Sequence, residues 1–185
     1  MMKTNKGTHA GGENTNKKAA PLENRLRNTY SNAITTTKRL QKKTWKYNIE
    51  EVELNGNTYI RAPESSFPRW GKNFGDEELK KVKPLNGAKW PDDCFINKVS
   101  KTINWAEAKV QGGSGSVCEK LQSGTKKIRN LQRRFPDWKI NYYYVLDITF
   151  KNLCPQEIAD LDEDGIPYIF DTDPEFEKKL LNLIK

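Results

Sequence analysis

Apolar positions along this 185-residue chain recur with two different periods, and each change of period marks a boundary between elements. Residues 1–20 carry Gly, Asn, Thr and Lys with little to bury, and read as a flexible basic arm ahead of a single domain over 21–185. Behind Pro21, Leu22, Leu26 and Tyr30 recur at four-residue spacing, which predicts a helix over roughly 21–32 with Glu23 in its first turn. Residues 47–62 alternate apolar and polar side chains around Asn55-Gly56, the signature of a two-residue hairpin. The stretch 63–75 reads as a loop, followed by a helical turn near 76–82. Residues 92–96 and 102–110 read as two strands joined by a polar turn at 97–101. After the break QGGSGS, Val117, Leu121, Gly124, Ile128, Leu131 and Phe135 alternate steps of four and three, the stripe of a helix facing a core. Residues 139–150 are strongly β-favouring, and 174–184 suit a last amphipathic helix. The expected architecture is α/β, a central mixed sheet flanked by helices.

Composition narrows the partners. Hydrophobic residues make up 35% of the chain and charged residues 30%, polar for a globular protein but short of wholesale disorder. The formal charge is +8 and the sequence pI about 9.3, a balance that favours polyanions and hence nucleic acid. His9 is the one histidine, and Cys94, Cys118 and Cys154 share no metal-ligand spacing. Zinc chemistry and a Ser–His or Cys–His nucleophile are therefore excluded, and the cysteines read as reduced core residues. No stretch is long enough to cross a membrane, so a cytoplasmic protein of bacterial or phage origin is expected.

The chemistry concentrates in WPDDCFINKVSKTINWAEAKV. Glu107 and Lys109 lie two apart on one strand and so point to the same face. A hairpin between the two strands would set Asp92 beside Glu107. Two nearby carboxylates repel each other unless a cation sits between them. Mg²⁺ suits such a pair, with the Ala108 carbonyl as a further ligand and Mn²⁺ as a substitute. Lys109 would orient or deprotonate an attacking water and offset charge on a reacting phosphate. The plainer alternatives are a Pro-Asp turn and a surface Glu–Lys pair, but Trp105, Ala106, Ala108 and Val110 make the second strand look interior. Asp93 would point to the opposite face. Gln111 is either a solvent-facing strand end or a group that positions water. Lys120, Lys127 and Arg134, seven apart, form either a solvated stripe or a set of phosphate contacts.

Pro91-Asp92…Glu107-Ala108-Lys109 resembles the signature of the PD-(D/E)xK nucleases. The continuation Gln111, Gly112 to Ser116 and Glu119-Lys120-Leu121 is similar to that of type II restriction endonucleases. GGENTNKK and the later Leu22-Glu23 are similar to a segment that carries a helix carboxylate in some members. The resemblance implies a restriction-endonuclease-like core with Asp92, Glu107, Lys109, Gln111 and Glu23 as catalytic residues, and Asp92, Glu107 and Ala108 as metal ligands. It implies Mg²⁺-dependent hydrolysis of double-stranded DNA by a homodimeric, sequence-specific restriction enzyme, with no nucleotide cofactor. Arg69, Lys72, Ser114, Lys120 and Lys127 are the candidate DNA contacts. Two other readings stay open: a phage, repair or recombination nuclease that reads DNA structure or ends, and an inactive DNA-binding module on the same fold.

Overall fold

The computed structural model describes residues 12–41, 48–74, 90–110 and 118–185, with side chains from Ala19 onward and, in the second helix, as far as Trp70. Seven strands form one mixed sheet in sequence order: β1 (Thr36–Arg39), β2 (Glu50–Leu54), β3 (Asn57–Arg61), β4 (Asp93–Asn97), β5 (Thr102–Lys109), β6 (Lys139–Leu146) and β7 (Tyr168–Phe170). Pairing is antiparallel from β1 to β5 and parallel from β5 to β7. The switch follows from the connections. Short turns join β2 to β3 and β4 to β5, whereas each parallel pair is bridged by helical segments, as parallel strands require.

Among the described residues, six helices accompany the sheet: α1 (Gly12–Ala33), α2 (Ser66–Phe74), α3 (Cys118–Arg134), α4 (Thr149–Leu153), α5 (Pro155–Glu163) and α6 (Phe176–Asn182). One face of the sheet shows Cys94, Ile96, Ile103, Trp105, Tyr142, Tyr144 and Leu146, packed with Phe67 and Trp70 of α2, Leu121 and Leu131 of α3, and Leu161 of α5. The other shows Phe95, Ala106, Ala108, Tyr143 and Val145, against Leu22, Leu26 and Tyr30 of α1 and Phe176 and Leu180 of α6. The strands β4, β5 and β6 are therefore buried on both sides, and the protein is a helix–sheet–helix sandwich.

Local chemistry explains the turns. Asn55 and Gly56 take φ values of 52° and 73°, so the two-residue hairpin expected at this dipeptide closes with Leu54 opposite Asn57. After β4, the Asn97 side chain accepts the N–H groups of Val99 and Ser100, each at 3.0 Å, and Lys101 turns through φ 51° into β5. Gly124 lets α3 lie close to the sheet: a Cβ there would meet Ile166 Cδ1 at 3.0 Å and the Tyr144 hydroxyl at 3.2 Å.

Several expectations require correction. The first helix starts at Gly12, inside the segment read as an arm, and Pro21 lies within it rather than at its start. Among its described side chains the first buried one is Leu22, so apolar periodicity marked where the helix meets the core rather than where it starts. Residues 66–74 form a helix because Phe67 and Trp70 share one buried side, a stripe too short to stand out in an aromatic loop. The strand expected over 139–150 stops at Leu146, where the Asp147 side chain accepts the Thr149 N–H at 2.8 Å and opens α4. Cys118 and Cys154, read as reduced, form a disulfide, while Cys94 is free and buried. The start of α3 meets the junction of α4 and α5, a proximity that sequence spacing does not reveal. The helical turn near 76–82 lies outside the described residues. Among the described residues, no helix is long and apolar enough to cross a membrane.

Candidate active site

The carboxyl ends of the parallel strands β5, β6 and β7 lie at one edge of the sheet, where open α/β sheets offer their crevices. Because β4 runs antiparallel to β5, its first residues arrive at that same edge. Asp93 pairs with Ala106, so Asp92, one step before the strand, stands opposite Glu107. The Asp92 N–H donates to the Ala106 carbonyl at 3.0 Å, and its Oδ2 accepts the Ala108 N–H at 2.7 Å. The ladder to β4 has ended there, which leaves the Ala108 N–H and C=O turned toward Asp92's side without strand partners. Asp92 takes the N–H, and Lys109 Nζ donates to the carbonyl at 3.0 Å.

Glu107 is buried on the same face. Lys109 Nζ lies 2.5 Å from its Oε1, and Lys127 Nζ, from α3, lies 2.6 Å from each carboxylate oxygen. The Tyr142 hydroxyl also donates to Oε2. Glu107 stands beside Tyr144 in the parallel register, which makes Tyr142 its diagonal neighbour on that face.

These surroundings drive the two carboxyl groups apart. Burial pushes Asp92 up to about 6, helped by the charges of Glu23 and Glu107, against the pull of Lys109 and the Ala108 N–H. Burial also acts upward on Glu107, but Lys109 and Lys127 outweigh it and hold that group at about 2. One member of the pair is fully matched by ammonium groups. The other bears a burial penalty that Lys109 and the Ala108 N–H do not offset.

Asp93 has a separate environment. It points to the opposite face, where Arg61 Nη2 lies 2.6 Å from its Oδ2 and Nε lies 3.1 Å from both oxygens. A fork of this kind is a buried structural ion pair, under the Phe95 ring. Glu23, on the helix across the sheet, is close enough for its charge to act on Asp92, and its ion pair is with Arg27 at 3.7 Å.

The other candidates distribute as follows. Lys127, expected among the DNA contacts, has its ammonium on Glu107. Lys120 is partly buried on α3, and its carbonyl accepts the Ser123 hydroxyl at 2.6 Å. Arg69 is exposed on α2 and donates to the Ser65 carbonyl at 2.5 Å. Gln111, Ser114 and the Lys72 side chain lie outside the described residues. Tyr142 lies in the stretch read only as β-favouring. Strand alternation put it and Tyr144 on one face, but only the pairing of β6 with β5 shows that this face holds Glu107.

The donor set fits a hard divalent cation. Asp92 and Glu107 oppose each other at a strand end, the Ala108 carbonyl belongs to the residue next to Glu107, and Asp92 is raised by burial with the charges of Glu23 and Glu107 adding to it. All these atoms are oxygens, as Mg²⁺ and Mn²⁺ prefer. No family model matches this chain, and no curated protein or solved structure matches it either.

Proposed function

We propose that this chain is a Mg²⁺-dependent endonuclease that hydrolyses phosphodiester bonds in double-stranded DNA on a restriction-endonuclease-like core. The observation that carries the reading is the placement of Asp92 opposite Glu107, with Lys109 on the same face, at one sheet edge. A divalent cation held by Asp92, Glu107 and the Ala108 carbonyl would supply Lewis-acid polarisation of the scissile phosphate and a more acidic water. Lys109 keeps a positive charge within 3.0 Å of the Ala108 carbonyl and 2.5 Å of Glu107. From there it serves to orient the attacking water and to offset charge that accumulates on the phosphate oxygens. Glu23 adds negative charge behind Asp92 and so strengthens the cation's hold. The formal charge of +8 favours approach to a polyanion.

The biology proposed for this chemistry is sequence-specific type II restriction cleavage by a homodimer, because two-fold protein symmetry matches a symmetric duplex site. Digestion of unmodified plasmid with Mg²⁺ tests both levels. Discrete fragments are expected, and Asp92→Ala, Glu107→Ala and Lys109→Ala should each abolish cutting while duplex binding persists. Uniform degradation would retain the chemistry and remove the restriction reading. No cleavage of any duplex with Mg²⁺ or Mn²⁺ would remove the nuclease reading altogether.

A further inference from the structure

Glu107 has more donors around it than a carboxylate awaiting a metal should have. A carboxylate offers about four lone-pair sites on its two oxygens. Lys127 takes one on each oxygen at 2.6 Å, Lys109 takes another on Oε1 at 2.5 Å, and the Tyr142 hydroxyl takes another on Oε2. A cation that ligates Glu107 must therefore displace a donor. Tyr142 is neutral and buried in the strand face, so it opposes the cation least. Lys109 engages one oxygen and keeps a second acceptor, the Ala108 carbonyl at 3.0 Å. Lys127 alone covers both oxygens. It also donates to the Tyr142 hydroxyl at 3.3 Å, an acceptor other than Glu107. Its four-carbon stem hangs from α3 and can swing without moving the backbone.

We propose that Lys127 is a resident stand-in for the cation, a positioning residue that holds Glu107 in the metal-free protein and is expelled from it on metal loading. The inference rests on the reading of Asp92 and Glu107 as the cation's carboxylates, and it specifies how that site is regulated. The stand-in keeps a buried carboxylate matched in the absence of metal. It also makes metal affinity a competition, so the empty site binds cations more weakly than its oxygen set alone would allow.

Lysine acylation of the whole chain with acetic anhydride, read by peptide mass spectrometry, tests the exchange on the unmodified protein. Calorimetry on the same sample establishes Mg²⁺ saturation. Lys127 acetylation should rise several-fold on saturation in wild type. It should stay flat in Asp92→Ala, and exposed Lys178 should not change in either. Unchanged Lys127 labelling at saturation, or a gain at Lys109 in its place, would overturn the exchange and leave the cation site standing. Mg²⁺ binding that is absent, or identical in wild type and Asp92→Ala, would overturn the cation site and the exchange together. As a second measurement, Mn²⁺ affinity without DNA, by electron paramagnetic resonance, should increase at least about fivefold in Lys127→Met. Lys127→Arg, which keeps the charge, should stay near wild type; equal affinities in all three proteins would overturn the proposal.

Discussion

Replacing Asp92 with asparagine should stabilise the metal-free protein while disabling its site. The magnitude follows from Asp92 itself. Its carboxyl stands at about 6 in the folded chain against an ordinary 3.8. At about 1.4 kcal/mol per pH unit, ionising it costs the fold up to about 3 kcal/mol. The sign follows from proton linkage. Because the folded value is raised, the folded state holds its proton more tightly than the unfolded chain. The penalty is absent below pH 3.8, where both states are protonated, grows between 3.8 and about 6, and is complete above that. An asparagine side-chain carbonyl can still accept the Ala108 N–H that Oδ2 accepts at 2.7 Å, so the substitution removes charge and little else. Urea denaturation in chelator should show Asp92→Asn more stable than wild type by about 1–3 kcal/mol at pH 7.5, with the two converging near pH 3.5. Added Mg²⁺ should reverse the order, by stabilising wild type alone. A variant less stable than wild type at pH 7.5, or a difference that does not change with pH, would refute the account of Asp92 as a carboxylate whose burial outweighs the pull of Lys109.

Glu107 should behave in the opposite sense. Its depressed value of about 2, against 4.5, contributes stability that is present above pH 4.5 and lost as pH falls towards 2. Glu107→Gln should therefore cost about 3 kcal/mol in denaturation at pH 7 and progressively less below pH 4.5. Arg61→Met leaves Asp93 buried without its partner and should cost about 3–5 kcal/mol, yet the folded variant should bind Mg²⁺ as wild type does. Loss of Mg²⁺ binding there would contradict the separation of Asp93 from the site. Reduction of the Cys118–Cys154 disulfide, whose partners are 36 residues apart, should lower stability by up to about 4 kcal/mol, measured by denaturation with and without reductant. A Cys118→Ser chain as stable as the oxidised protein would argue against that bridge.

Much of the site could be read before any fold was known, because its logic is local. Glu107 and Lys109 share a face through the two-residue period of a strand. Asn55-Gly56 and the polar turn after Asn97 close their hairpins through backbone preferences that nearby residues dictate. The hairpin following Asn97 is what carries Asp92 to Glu107. The apolar stripe of α3 was equally clear, since Leu121, Gly124 and Leu131 are buried along one side of a regular helix. The sequence by itself therefore determined strands β2 to β6, the long helix and the nearness of Asp92, Glu107 and Lys109.

The tertiary structure decided what depends on neighbours distant along the chain. Lys127 is twenty residues from Glu107, and nothing in its helical stripe distinguishes a phosphate contact from a buried ion pair. That distinction is made by the packing of α3 on the sheet, which Gly124 permits by its close approach to Tyr144. Tyr142 joins the carboxylate through the register of β6 on β5, and Cys118 meets Cys154 through the meeting of two helix ends. The contrast between Asp92 at about 6 and Glu107 at about 2 is likewise a property of assembled burial and charge. Periodicity and turn chemistry act over a few residues and are written in order along the chain. Desolvation and ion pairing act across space, so they exist only once the layers have closed.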